Sequence, residues 1–574
     1  MNFIEKCSFV GIDPRIKKWL LPKCVMQSEG VVQNAEALLK NKSLQIALAE
    51  PDMTVLKNEK GSAHAALLLD FGFEFHGGVR VLTGLNAPNR PFRVRLTFGE
   101  SVAEALSSVG EKGSCNDHSP RDFEVIVPRL SDLEFGQTGY RFLRIELLDE
   151  VAEWNIKSIV GAFVYRDLDY IGSFSCNDEM LNRIYDTAAY TCHLNMQTML
   201  WDGIKRDRLV WVGDTHPEML AIRTLFGNHE LVWENLRFSR DEAKLPNWMN
   251  GMPSYSFWWL IILYEQSFFT DDFSFALESR AYVEGLLRLL FSYIQEDGSH
   301  TFESYFLDWQ TRDMPEAVAG VHALLYWAIQ CGVKLCHVYQ NAILEKQCAT
   351  YLGYLKKKIP DPHTCSSANA LLLMNGLLPT DVAVKPILEN KANGLTTLMS
   401  YYVLTALARS GHTKEALEIL KTYYGGMLKM GATTFWEDFD VSWLENASAI
   451  DEFPQEGKKL LHGDTGQHCY KGFRHSLCHG WSAGPVAFLA EQILGIRVTE
   501  AGGEHIHLSP DLCHLEYAKG SYSTKHGKVE IAYEKKGDKL FLTHLKMPKQ
   551  CGLSMDSGIE IATQTTLQNK EEKL

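Results

Sequence analysis

The segment Trp201-Asp-Gly-Ile-Lys-Arg-Asp-Arg-Leu-Val-Trp-Val-Gly-Asp214 sets three carboxylates, Asp202, Asp207 and Asp214, among Arg206, Arg208 and two tryptophans. A sugar pocket uses this mixture: aromatic faces cover the apolar side of the ring while carboxylates accept hydrogen bonds from its hydroxyls. A solvated loop holds the same charges, and residue types alone do not choose between the two. Far along the chain, Gly431-Ala-Thr-Thr-Phe-Trp-Glu-Asp-Phe-Asp440 is a second acidic and aromatic run. Glycosidic cleavage needs one carboxylic acid to protonate the leaving oxygen and one carboxylate on the opposite face. Two distant acidic segments that converge in space are what that reaction requires.

Other motifs carry less. Gly480-Trp-Ser-Ala-Gly484 matches the G-x-S-x-G nucleophile elbow, but that elbow must follow a strand of an alternating βα sheet. Here a long helical region precedes it, so it reads as a small-residue helix start beside His479. Trp258 and Trp259 on one helix read equally as core or pocket, His479 as a core histidine or a ligand, and Asp308 and Glu303 near Trp309 as caps or solvated groups. No HExxH, EF-hand loop, CxxC or Cys/His knuckle occurs among 20 His and 13 Cys, nor a phosphate-cradling glycine loop. Neither a metal nor another cofactor is expected.

Composition bounds the partners. With 57 Lys+Arg against 71 Asp+Glu, a net charge of −14 and no long basic cluster, the chain is a poor nucleic-acid binder. The most apolar stretch, Phe257 to Tyr264, falls far short of the roughly 18 to 20 residues that cross a bilayer, so no membrane span is expected. An odd number of scattered cysteines fits reduced thiols. The N-terminus shows no basic run followed by an apolar one. A cytoplasmic location is therefore expected for the sequence as it stands, and a periplasmic one if a leader has been removed. Oligomeric state is not legible.

The elements that must position these residues change character twice. At 574 residues, 45% hydrophobic and 22% charged, the chain has material for roughly three to five folded units. In the first third Phe92, Val94, Leu96 and Phe98 alternate with Arg93, Arg95 and Thr97, the period of a half-buried strand, and 123–127 and 142–147 repeat it. From Ser175 the period becomes helical: a capping run precedes Leu181, Ile184, Tyr185, Ala188 and Cys192. Amphipathic stretches recur near 217–240, 256–270, 273–295, 315–332, 335–357, 395–410 and 412–424. After about 495 strands return, with a hairpin turning at Lys536-Gly-Asp538. Three units are expected: an antiparallel β-sandwich over 1–168, a helical domain over 169–494 for which a toroid of helical hairpins fits, and a small β domain over 495–574.

On these residues a resemblance rests. Asp202-Gly-Ile-Lys-Arg-Asp-Arg-Leu-Val-Trp-Val-Gly-Asp214 resembles the D-x-x-x-R-(D)-E-R-L-x-W-x-G-D signature of the α-L-rhamnosidases of glycoside hydrolase family 78. Gly431-Ala-Thr-Thr-Phe-Trp-Glu437, Met252-Pro-Ser-Tyr-Ser-Phe-Trp-Trp259, the lead-in Gly172 to Tyr185, and Ser476-Leu-Cys-His-Gly-Trp481 are similar to further family stretches. The resemblance covers about residues 160 to 570 and matches the N-terminal part in kind only. It implies a cofactor-independent, inverting exo-hydrolase of terminal α-L-rhamnosyl residues, with an (α/α)6 toroid flanked by N-terminal and C-terminal antiparallel β-sandwich domains. The family's general acid falls on Asp207 and its general base on Glu437. Sugar-binding positions fall on Asp202, Arg206, Trp211, Asp214, Trp259, Trp309, Trp436 and His479.

One departure stands out: the acid position holds Asp, one methylene shorter than the family's Glu. Either the backbone lies closer and Asp207 still reaches the glycosidic oxygen, or the acid is lost and the chain binds a sugar without cleaving it. A related helical-ring enzyme of different sugar specificity is the remaining alternative. If Asp207 acts as the acid, neighbouring Asp202 and Asp214 are expected to keep it protonated.

Overall fold

The computed structural model describes residues 7–8, 10–48, 51–312 and 314–568. Its N-terminal part is a nine-stranded sheet: β1 Ile16–Leu20, β2 Cys24–Glu29, β3 Val31–Gln33, β4 Thr54–Asn58, β5 Ala66–Thr83, β6 Phe92–Gly99, β7 Asp122–Val127, β8 Asp132–Leu147 and β9 Ala152–Tyr165. The order is β3-β4-β9-β5-β8-β6-β7, with β1 on β9 and β2 on β5, and every pairing is antiparallel. Alternation explains β6, where Phe92, Val94, Leu96 and Phe98 are buried and Arg93 is exposed. The long β6–β7 connection leaves this sheet and carries Glu100, Glu104 and His118 to the helical part.

Among the described residues thirteen α-helices follow the strand β10 Ser173–Cys176, twelve of them labelled α1 to α12. They are α1 Glu179–Asn195, α2 Val212–Leu225, α3 Glu230–Glu242, α4 Pro253–Thr270, α5 Arg280–Ser292, α6 Glu316–Val338, α7 Ala342–Leu355, α8 Ser366–Met374, α9 Thr380–Asn390, α10 Ser400–Arg409, α11 Thr413–Lys429 and α12 Gly484–Phe488. A further short turn of helix, Ser274–Glu278, lies between α4 and α5. Helix α2 packs on α4, α4 on α6, α6 on α8, α8 on α10, α10 on α12, and α12 returns to α2. The even-numbered helices thus contact one another in a closed cycle, and each odd-numbered helix packs against at least one of them.

Local sequence sets these elements. Helix α1 begins where the Asp178 carboxylate accepts from the Met180 and Leu181 amides at 3.0 and 3.4 Å, and its apolar stripe from Leu181 to Cys192 faces inward. Pro253 opens α4, at the one helical position where a missing N–H costs nothing. The 335–357 stretch is not one helix: the chain turns at Gln340, with φ of 54°, between α6 and α7. Helix α6 corrects the reading of Phe257 to Tyr264 as the most apolar run, because it is long and apolar enough to cross a bilayer. It is an inner-ring helix packed between α4 and α8, and most of it is buried.

The C-terminal part is mixed rather than antiparallel. Five strands order as Ser173–Cys176, Tyr517–Thr524, Gly527–Lys536, Lys539–Lys546 and Ile559–Gln568, the last pairing parallel; a smaller sheet joins Ile496–Val498, His505–Leu508 and Gly552–Met555, again with one parallel pair. The physical reason is connectivity. The chain leaves Lys546, runs through the smaller sheet and re-enters the larger one in the same direction, which a tight hairpin does not allow. The expected hairpin is present, with Lys536 opposite Lys539. Strand β10, from the stretch assigned to the helical region, forms the edge of this sheet.

Candidate active site

The N-terminal ends of α2 and α4, and the loops that lead into α2, α6 and α12, line one cavity of about 230 Å³. Its walls include Asp202, Arg206, Asp207, Trp211, Asp214, Trp309, Glu437 and His479. The distant acidic segments therefore meet. Asp214 sits in the first turn of α2, where the positive end of the helix dipole favours a carboxylate. Trp211 is the residue before that helix, and its ring meets Tyr255 of α4 edge to face at 6.2 Å.

Arg206 stands at the centre. Its Nη2 donates to Glu437 Oε2 at 2.5 Å, its Nη1 lies 3.2 Å from Asp207 Oδ1, and its Nε donates to the Arg474 carbonyl at 2.7 Å. Burial works against its charge, but Glu437 and Asp207 outweigh burial and hold the guanidinium more firmly protonated than usual. Glu437 also accepts from the Ser476 amide at 3.2 Å, and the Trp481 indole donates to the Glu437 carbonyl at 2.8 Å. The two carboxylates differ in depth: the Glu437 side chain is 4% exposed and that of Asp207 18%.

The remaining acids are driven toward their neutral forms. Burial first, then the charge of Asp207, pushes Asp202 well above the usual carboxylate range. Burial, Asp202 and Glu437 do the same to Asp214. His479 is held well below the usual imidazole range by burial, with Arg206 adding to the effect. Its Nε2 lies 3.1 Å from Asp214 Oδ1, within hydrogen-bond distance. Asp202 and Asp214 are not what touches the Asp207 carboxyl, contrary to the expectation that they govern its proton. Its Oδ1 meets Arg206 and, at 2.8 Å, Nδ1 of His118 from the N-terminal sheet.

Two predicted sugar contacts lie off the cavity wall. Trp259 is fully buried, donates from Nε1 to the Leu236 carbonyl of α3 at 2.9 Å and packs on Tyr282, so it ties α4 to its outer partner. Tyr255, one turn nearer the start of the helix, lines the cavity in its place and reaches Asp214 with its hydroxyl at 3.5 Å; Trp259 lies on the same face but one turn deeper. Trp436 is also fully buried, its ring edge-on to Phe439 at 5.6 Å. Trp201 meets His76 of the sheet instead. Conversely, Met252, Tyr255, Phe306, Cys469, Arg474 and Trp481 line the cavity without having been singled out. Met252, Tyr255 and Trp481 lay inside the segments already quoted; Cys469 and Arg474 come from a loop without a pattern.

Two other clusters differ in kind. A larger cavity, about 530 Å³, lies at the opposite ends of the same helices, but its acids Glu265 and Glu491 are each paired with Arg223 and it holds no second acidic segment. Between sheet and ring, Glu100, Glu104 and His462 converge closely enough to hold a cation. The Lys205 ammonium already fills that place, 3.1 and 2.9 Å from the two glutamates.

Comparison with known proteins bears on the fold. Residues 169–277 match the family model described as bacterial alpha-L-rhamnosidase 6 hairpin glycosidase domain. The fold is similar to that of the family 78 rhamnosidase of Bacillus sp. GL1 (TM-score 0.73, 19% identity, 93% of this chain and 57% of that one). It is similar also to the α-L-rhamnosidase from Dictyoglumus thermophilum (TM-score 0.65, 18% identity, 84% of this chain and 56% of that one). A third likeness is to a rhamnosidase from Klebsiella oxytoca with rhamnose bound (TM-score 0.62, 19% identity, 83% of this chain and 96% of that one). The chain thus spans little more than half the length of the first two. No match is found among curated proteins.

Proposed function

We infer that this chain, a glycosidase carrying over residues 169–277 the six-hairpin domain of the bacterial α-L-rhamnosidases, is an inverting exo-hydrolase of terminal α-L-rhamnosyl residues. One observation carries the reading: a single guanidinium, that of Arg206, joins Asp207 and Glu437 on the wall of one small cavity. The closed ring of even-numbered helices supports an (α/α)6 toroid, and the two β regions support flanking sandwiches.

The difference in depth supports a division of roles. Asp207, at the mouth, is where the leaving group departs and serves as general acid; Glu437, deep in the cavity, activates the water that attacks the opposite face. Arg206 and the Ser476 amide keep Glu437 supplied with donors in its anionic form. The two Nη atoms of a planar guanidinium lie about 2.3 Å apart, which limits Asp207 Oδ1 and Glu437 Oε2 to at most about 8 Å, so both groups serve one bond. Trp211, Trp309 and Tyr255 supply ring faces. Met252 and Phe306 offer an apolar surface that suits the methyl group of a 6-deoxy sugar.

An aryl α-L-rhamnoside tests this. The phenol is expected to be released, with β-L-rhamnose as the first sugar anomer seen by NMR. Asp207→Asn and Glu437→Gln are each expected to lower kcat by about 10²- to 10⁴-fold with the thermal midpoint retained. Rhamnose binding without release of phenol is the result that replaces hydrolysis by simple sugar binding; release of another aryl sugar alone changes the specificity.

A further inference from the structure

The cavity of about 530 Å³ lies at the opposite ends of the helices from Asp207 and Glu437 and takes no part in cleavage there. Its volume falls within the roughly 300–1,000 Å³ of small-molecule sites. The C-terminal ends of α2, α4 and α10 reach it, and Ile496–Val498 of the C-terminal part forms one wall. Helix C-termini carry the negative end of the dipole, and Arg223 and Arg409, in the last turns of α2 and α10, answer it.

One part of the lining is aromatic. Tyr264 and Phe268, a turn apart on α4 with ring centroids at 6.1 Å, and Trp327 of α6 all stand half-buried on the wall. Their uncovered faces suit the apolar face of a sugar ring.

The other part is charged, with both signs present. Arg223 sets Nη1 3.6 Å from Glu265 Oε2 and Nη2 3.3 Å from Glu491 Oε1, and its buried Nε has no hydrogen-bond partner among the described residues. Glu265 uses the same Oε2 for His216 Nε2 at 3.3 Å, and with its side chain 22% exposed it keeps Oε1 as an acceptor. Arg409, 3.7 Å from Glu491, and Arg497 stand exposed at the rim. An entering anion meets two carboxylates and an entering cation meets three guanidinium groups, so neither sign is favoured. A hydroxyl both donates and accepts, and it satisfies both kinds of group at once.

We propose that this cavity is a second, non-catalytic site that binds one residue of a neutral sugar, with the apolar ring face on Tyr264, Phe268 and Trp327 and the hydroxyls between Glu265 and the arginines. Cleavage needs a protonated acid, and the lining lacks one. Burial opposes the charge of Glu265, but His216 and then Arg223 outweigh it and hold the carboxyl below the usual glutamate range. Glu491 accepts from the Tyr401 hydroxyl at 2.7 Å and from Arg223. The site therefore holds a sugar without breaking it, whichever glycosidic bond the other cavity attacks.

Calorimetric titration of the full chain with L-rhamnose, D-glucose, D-galactose, lactose and cellobiose tests this. At least one of these is expected to bind with a Kd of about 1 mM or tighter. Trp327→Ala, which removes a ring face, and Thr499→Trp, which crowds the rim, are each expected to weaken that binding about tenfold or more. Thr499 is an exposed residue of the lining, so its variant carries the test if Trp327→Ala does not fold. Glu437→Gln is expected to bind the same sugar with unchanged affinity. Equal binding by the parent and Thr499→Trp, or loss of binding in Glu437→Gln, places the sugar in the other cavity and overturns the proposal. Absence of binding by every sugar overturns it as well, and tighter binding of benzoate or putrescine than of any sugar overturns the choice of a neutral ligand.

Discussion

Arg206 shows how one buried side chain sets the roles of several others. Its planar fork reaches Glu437 and Asp207 at once, which a lysine cannot do with the same geometry. The two carboxyl groups it joins are the ones placed for the proposed chemistry, while Asp202, Asp214 and His479 are left toward their neutral forms. Trp259 is the opposite case, a residue of binding type in a structural place. Its indole donates to Leu236 and its ring packs on Tyr282. Trp259→Phe should lower stability by about 1–3 kcal/mol through the lost hydrogen bond and the vacated volume. The expected readout is a lower thermal midpoint with kcat/KM within about twofold of the parent, since the cavity wall is untouched. A drop in kcat/KM at an unchanged midpoint would place the indole at the sugar after all.

At the scale of elements, the site depends on how closely the last inner helix approaches the first. A Cβ at Gly480, just before α12, would stand 1.7 Å from Oε1 of Glu218 on α2. Glu218 is buried, and burial together with Asp214 pushes its carboxyl well above the usual range, so it has no charge to carry out into water and little room to move. Gly480→Ala should therefore shift His479 and Trp481, costing about 1–3 kcal/mol of overpacking and a measurable fraction of turnover. Glu218→Ala in the same chain makes the space and should recover much of the midpoint; an innocuous Gly480→Ala would show that the ring has slack there. The same elements show what a sequence reveals. Strand β6 and helix α1 were legible because one face of each is buried and the other wet. Helix α8 was not, because it is apolar almost all round, and Pro386 breaks the period of α9. Edge strand β10 is too short to show a pattern. Within the site, the acids and aromatics of 202–214 were legible as types. His118 and Arg474 were not, since loops bring them in by tertiary contact alone.

At the scale of the whole molecule, the N-terminal sheet is part of the active site's foundation. Lys205, next to Arg206, is buried against Glu100 and Glu104 from the sheet and donates to the Phe473 and His475 carbonyls at 2.6 and 2.9 Å. Glu100 in turn accepts from the Leu477 amide at 2.7 Å, one residue from the Ser476 amide that faces Glu437. This junction is expected to respond to pH. Burial pushes the Glu100 carboxyl up to about 7, with Lys205 opposing and Glu104 adding, and Glu74 beside it is raised as well. In the unfolded chain a glutamate titrates near its ordinary value of 4.5. Between these values the folded state keeps a proton that the unfolded state has lost, so the contribution of Glu100 is fully present below about 4.5 and disappears as pH rises through about 7. Glu100→Gln keeps an acceptor for the Leu477 amide and cannot ionise. Its thermal midpoint, compared with the parent at each pH, should gain steadily on the parent between about pH 4.5 and 7 and level off above that, because in this window only the parent's unfolded state is stabilised by releasing a proton. Parallel midpoint curves for the two proteins over that window would mean that Lys205 holds Glu100 ionised throughout, and that the junction is a fixed ion pair.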